Sequence, residues 1–229
     1  SPFQRWMSSC PRRTLPNVQR ALANIANYMI CDDHEITDDW YFNLEWCRRV
    51  LPKPLGRAII RNGLLAYGVF QAWGNTPEQF RPGSPGARLL QAACDWTRRG
   101  GSPDPCLETL LSIARLEELQ TMPEPGLRHS TGSVDWHYSL KGPEDRYSFL
   151  VLDIRTWRGF PGQPIDPSEL IDETALQVQL SVLPPVAAEG LLVVVSPTPV
   201  MGVPVMQAAQ EMQSDFRGRL ALDVEYWKA

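Results

Sequence analysis

The chain of 229 residues is 43% hydrophobic, enough to bury a sizeable core in one large domain or two small ones. Its formal net charge of −4, with lysine and arginine scattered, gives no electrostatic reason to expect nucleic acid or an anionic membrane surface as partner. The longest apolar run, Gly190–Val195, is far too short to cross a bilayer.

In chain order, Asn17–Asn27 places Val18, Leu22 and Ile25 at helical spacing behind Pro16 and predicts a first helix. Met29–Cys31 follows as a short apolar run that reads as a buried strand. That run ends abruptly in Asp32-Asp33-His34-Glu35, with Asp38 and Asp39 close behind. Leu55–Trp73 predicts a long helix with Ile59, Ile60, Leu64, Tyr67 and Phe70 on or near one face, apolar nearly all round from Leu65 onward and therefore buried. Breakers at Arg81–Gly86 and Arg99–Pro105 frame a helix over Ala87–Thr97, and another is expected over Leu107–Leu119. After Gly132 the period changes to two. Val134, Trp136 and Tyr138 alternate with polar residues, "KGPED" turns the chain, and "RYSFLVLDI" continues as a strand, which is the pattern of a β-hairpin. "ALQVQLSVL" returns to helix and "GLLVVVSPTPV" is an apolar strand. The order predicts an α/β layered domain with a helical excursion.

The acidic stretch holds the chemistry. A strand that ends in carboxylates and an imidazole puts them on the loop at its C-terminal edge, where ligands bind in α/β sheets. Aspartate oxygens and imidazole nitrogen suit Fe, Mn, Zn, Ca or Mg, and a histidine not used as ligand protonates a leaving group near neutral pH. The plainer alternative is a solvated acidic loop, with Asp38 or Asp39 capping the next helix. An EF-hand loop does not fit, because "DDHEITDD" lacks the alternating ligands and central glycine.

The wider string "YMICDDHEITDDW" resembles the "DDHE" segment of the PhoD-like phosphatases, also called alkaline phosphatase D. The likeness continues in order through "NGLLAYGVFQAWGNTPEQF" (Asn62–Phe80), "YSFLVLDIRTWR" (Tyr147–Arg158) and "LLVVVSPTPVMG" (Leu191–Gly202). The resemblance implies a calcineurin-like metallophosphoesterase core, an α/β sandwich that carries a divalent or trivalent metal centre and hydrolyses phosphate mono- or diesters with a metal-activated hydroxide. Carried over by position, Asp33 would be a metal ligand. His34 would stabilise the phosphate or protonate the leaving oxygen, and Asp32 and Glu35 would orient the ligands. Arg155 and Arg158, at the end of a strand, would hold a phosphate oxygen; the alternative is a structural ion pair between Asp153 and an arginine. His137, in the polar register of the hairpin, is expected to be exposed. His129 sits in a loop, and Cys31 is expected in the core.

The family's "GDQ" and "GD-x-H" motifs are absent: no Gly-Asp dipeptide occurs, and the histidines all lie at or before position 137. The expectation is therefore that residues 1–229 form an incomplete domain, a fragment that binds metal poorly and turns over slowly or not at all alone. The alternative is a non-catalytic binding or interaction protein that keeps the scaffold with an eroded site. Residues 76–130 are expected to form a helical and loop-rich insertion, a cap over the site. The five cysteines, odd in number and without a CxxC pair, read mostly as reduced thiols and lean toward the cytoplasm; the resemblance is equally compatible with export. Nothing in the pattern sets substrate, metal identity or oligomeric state.

Overall fold

The computed structural model describes residues 15–37, 40–100 and 133–198, apart from positions 185 and 188. Asp38, Asp39, His129, the expected helix over Leu107–Leu119 and much of the expected 76–130 insertion lie outside the described residues.

Helix α1 spans Leu15–Asn24, and its apolar stripe of Val18, Leu22 and the following Ile25 is exposed. Helix α2, Leu44–Val50, starts where the Asn43 side chain accepts the Trp46 N–H at 2.7 Å, and ends with Arg48 and Arg49 against its negative pole. Helix α3 spans Pro54–Tyr67 with proline in its first turn, then widens into a π turn at Gly68–Ala72 and closes with an α turn at Trp73–Asn75. Helix α4, Pro85–Arg98, is capped by Ser84. The sequence-expected long helix is thus present but not buried all round. Ile60, Leu64 and Tyr67 face inward, whereas Phe70 is 84% exposed and Ile59 and Trp73 are also exposed.

The core forms where that inward stripe of α3 meets Cys31, Trp40, Tyr41, Cys47, Leu51, Leu89, Val134 and Trp136. Tyr67 lies edge-on to Trp136 with ring centroids 5.3 Å apart, a favoured aromatic geometry.

Strands β1 (Tyr138–Lys141) and β2 (Tyr147–Val151) form the expected antiparallel hairpin, pairing Tyr138 with Val151 and Lys141 with Ser148. Helix α5, Glu173–Ser181, capped by Asp172, then carries the chain to β3, Leu191–Val195, which pairs parallel with β2. The sheet order is β1-β2-β3, a small mixed sheet in an α/β chain. Leu150 and Leu152 pack with Ile154 against Leu170, Ile171, Leu180 and Leu183, so α5 and its approach cover one face. The other face borders a mostly apolar cleft of about 390 Å³ whose walls include Tyr28, Ile30, Tyr138, Phe149 and Val195.

One expectation is corrected. Met29–Cys31 joins no strand among the described residues: the Met29 backbone pairs instead with the side chain of Asn75, which takes the place of a neighbouring backbone. Strand β3, though wholly apolar, exposes Leu191, Leu192 and Val194. No helix among the described residues is long and apolar enough to cross a membrane.

Candidate metal centre

The approach to the acidic turn is fixed by three hydrogen bonds from two side chains. The Asn75 amide nitrogen donates to the Met29 carbonyl at 2.8 Å and its oxygen accepts the Met29 N–H at 2.8 Å. The Tyr138 hydroxyl donates to the same carbonyl at 2.8 Å. The chain stays extended through Asp32 (φ −124°, ψ 174°) and then tightens into a 3-10 turn at Asp33–Glu35. The Asp33 carbonyl closes that turn by accepting the N–H groups of Ile36 and Thr37, each at 2.8 Å. Glu35 reaches back so that its carboxylate accepts the Asp32 N–H at 2.8 Å. A local hydrogen-bond pattern of this kind is what a short acidic turn can satisfy without a strand partner.

This turn aims Asp32, Asp33 and His34 at one another. His34 Nδ1 lies 3.3 Å from Asp32 Oδ2 and 3.3 Å from Asp33 Oδ1. Donor atoms of the three residues all fall within 4.8 Å of one another. Burial is graded: the Asp33 side chain is 0% exposed and the His34 side chain 68%. From the strand side, the Arg155 guanidinium reaches 2.5 Å from Asp32 Oδ1 and 2.7 Å from Asp33 Oδ1, with its own side chain only 3% exposed. It also donates to the Thr198 hydroxyl at 3.3 Å.

Arg155 is in turn set by Asp153. The Asp153 carboxylate accepts the N–H groups of Arg155 (3.0 Å) and Thr156 (2.9 Å) and the Thr156 hydroxyl, an Asx-type turn that bends the chain just past β2. The Gln179 side chain of α5 holds Asp153 itself: its Oε1 accepts the Asp153 N–H at 3.0 Å and its amide donates to the Asp153 carbonyl at 2.8 Å.

The electrostatics leave room for a cation. Asp32, Asp33 and Glu35 bring three carboxylates together, and among the described residues Arg155 is ion-paired with two of them, Asp32 and Asp33. Burial tends to raise the Asp32 pKa, but hydrogen bonding to Asp33 and the Arg155 charge outweigh it, and the net shift is downward. Burial, reinforced by the charges of Asp153 and Glu35, pushes the neighbouring Cys31 thiol well above its ordinary value, so it stays protonated. Asp33 Oδ2 is fully buried and accepts no hydrogen bond from the described residues. An orphaned carboxylate oxygen beside a second carboxylate and an imidazole fits a metal ion of the Zn, Mn, Fe, Ca or Mg kind.

Of the residues singled out in the sequence, Asp32, Asp33, His34 and Arg155 come together, and Glu35 braces the turn through the backbone. Arg158 does not join them. It is fully buried and donates to the Ser168 hydroxyl at 3.0 Å, and Ser168 donates to the Tyr41 carbonyl at 3.3 Å. That relay supports Tyr41, whose φ of +60° is rare for an aromatic residue. The alternative ion pair between Asp153 and an arginine is absent among the described contacts of Asp153, whose carboxylate is used by backbone N–H groups and a hydroxyl. His137 is buried, not exposed: the stretch before β1 runs beneath the helices, and its ring meets Trp157 edge-on at 6.3 Å. Sequence reasoning missed Asn75, Gln179 and Thr198. The signal for the first two was a primary amide at an otherwise inward-facing helix position. No family model, curated protein or solved structure matches this chain.

Proposed function

We propose that the chain is a metal-dependent phosphoesterase acting on phosphate mono- or diesters, with Asp33 and Asp32 as metal ligands. The observation that carries the reading is the Asp33 carboxylate, buried with Oδ2 accepting no hydrogen bond from the described residues, beside an exposed imidazole. A cation held there would supply Lewis acidity and activate water. His34, whose side chain is open to solvent, would donate a proton to a departing alkoxide or hydrogen-bond a phosphoryl oxygen. Arg155 holds the two carboxylates converging, and its guanidinium offers a forked donor for a phosphoryl oxygen that displaces part of the ion pair. A calcineurin-like sandwich is the architecture this reading implies for the α/β chain.

A second reading, a non-catalytic binding protein with an eroded site, draws on one observation: Arg155 already engages both carboxylates. Metal analysis separates the two. The full-length protein is dialysed against Mn²⁺, assayed on aryl phosphate mono- and diesters, and compared with His34→Ala. Bound metal together with a loss on the order of a hundredfold in His34→Ala supports the phosphoesterase. A wild type without bound metal and without turnover supports the binding protein.

A further inference from the structure

Three primary amides in this chain make the same unusual contact. Asn75, Gln79 and Gln179 each pair with both the N–H and the C=O of one residue outside the sheet: Met29, Asp135 and Asp153 respectively. A side-chain amide has the donor and acceptor of a peptide group, so each supplies the two hydrogen bonds a neighbouring strand would give. Two of the three clamped residues stand just upstream of the candidate site. Met29 precedes Asp32 by three residues and Asp153 precedes Arg155 by two. Between clamp and site the chain is held by the extended backbone at Asp32 and by the Asp153 turn, which leaves little slack.

Burial argues that these amides are placed for this contact. Gln179 is 0% exposed and Asn75 7% exposed. Each projects from a helical segment toward a chain outside the sheet: Asn75 from the end of the α turn after the π turn, and Gln179 from α5. The π turn lies between Tyr67, whose hydroxyl is 3.4 Å from the same Met29 carbonyl, and Asn75, so it sets the phase at which both reach one atom.

We propose that Asn75 and Gln179 are positioning residues: a pair of amide clamps that set the separation of the Asp33 carboxylate and the Arg155 guanidinium, and through it the affinity of the site for a divalent cation. Asn75 governs the acidic turn and Gln179 governs the arginine. Neither touches a reacting atom. The part of this inference that concerns the cation rests on the metal-dependent reading above; the part that concerns Arg155 does not.

The test uses Asn75→Leu, Gln179→Met and, as a core variant away from the site, Leu89→Ala, all in the full chain. The first readout is the exchange protection of the Arg155 Nε–H, followed by side-chain ¹⁵N NMR. The clamp variants are expected to lose that protection while Leu89→Ala retains it at comparable loss of global stability. The second readout is Mn²⁺ affinity by titration, expected to fall about tenfold in each clamp variant and to stay unchanged in Leu89→Ala. Gln179→Glu keeps the acceptor for the Asp153 N–H and is expected to fall between wild type and Gln179→Met. Arg155 protection unchanged in both clamp variants overturns the proposal. A wild type that binds no Mn²⁺ overturns the metal reading instead and leaves the Arg155 readout to decide the clamps. If a clamp variant fails to fold, Gln179→Glu and the Asn75→Asp counterpart supply the same comparison.

Discussion

Arg155 Nη2 lies 2.7 Å from Asp33 Oδ1, and both side chains are almost wholly removed from solvent. The pair joins the acidic turn to the chain leaving β2, segments that no backbone ladder connects. A buried ion pair contributes little net stability over an apolar isostere, but removing one partner strands the other. Arg155→Met is therefore expected to destabilise the fold by about 3–5 kcal/mol in urea denaturation. Arg155→Lys should recover only part of this, because one ammonium cannot serve Asp32 and Asp33 with the fork geometry seen here. Equal stability of wild type and Arg155→Met would remove the pair from any structural role.

The two halves of the Asp33–His34 dipeptide are expected to part company when mutated separately. His34 is exposed, so His34→Ala should change stability by no more than about 0.5 kcal/mol, whatever it does to turnover. Asp33→Asn leaves the Arg155 guanidinium short of a buried counter-charge and is expected to cost stability on the scale of the arginine variant. Added Mn²⁺ should raise the melting temperature of wild type, by the linkage equivalent of about 2.7 kcal/mol at a hundredfold excess over Kd, and leave Asp33→Asn unmoved. Scanning calorimetry with and without chelator reads both effects; a metal-induced shift that survives Asp33→Asn would place the cation elsewhere.

How much of this was legible beforehand follows from the range of the interactions. Local signals read well: the helices expected over Ala87–Thr97 and "ALQVQLSVL" form as α4 and α5 with shifted ends, and the "KGPED" turn joins the hairpin. The acidic turn was also visible, because its hydrogen bonds are made within a few residues. What misled was non-local. Met29–Cys31 has the composition of a buried strand, but its partner is an amide 46 positions away. Arg155 finds the Asp32 carboxylate across 123 positions of sequence, a partner that the strand-end pattern, open between a phosphate oxygen and an ion pair with Asp153, did not indicate. His137 alternates like an exposed strand residue, yet it stands before β1 begins, where alternation carries no meaning. Periodicity reports an element's faces and is silent about segments held by side chains.

Gly63 of α3 faces the end of the acidic turn. A Cβ there would sit 2.8 Å from Ile36 Cγ1 and 3.1 Å from Cβ and Cγ2, so the absent methyl is what lets the turn rest on the helix. Alanine would gain about 1 kcal/mol of helix propensity, but overpacking at a branched side chain costs about 1–3 kcal/mol. Gly63→Ala is expected to be net destabilising and to weaken Mn²⁺ binding, since Ile36 can yield only by moving the turn that carries Asp33 and His34. Pairing it with Ile36→Ala should restore both. A single variant more stable than wild type and equally tight for Mn²⁺ would show that the turn is not seated on α3 as described.

Cys47, buried on α2 against the aromatic core, gives the pH dependence a sign. Burial pushes its thiol up to about 12, against the opposing pull of the Arg158 charge. In the unfolded chain the thiol titrates near the ordinary value of about 8.5. Below that value both states are protonated and the full stability is present. Between it and about 12 the unfolded chain loses a proton that the native chain keeps, so stability falls as pH rises, by up to about 1.4 kcal/mol per pH unit. Cys47→Ala costs stability at pH 8 by leaving a small cavity, but it abolishes this slope. The gap between wild type and variant is therefore expected to narrow steadily from pH 8 to pH 11 in urea titrations. In the same window a thiol reagent should label the exposed Cys94 in the native protein and spare Cys47. Parallel stability curves for the two proteins would mean that the Cys47 thiol ionises in the folded state as readily as in the unfolded one.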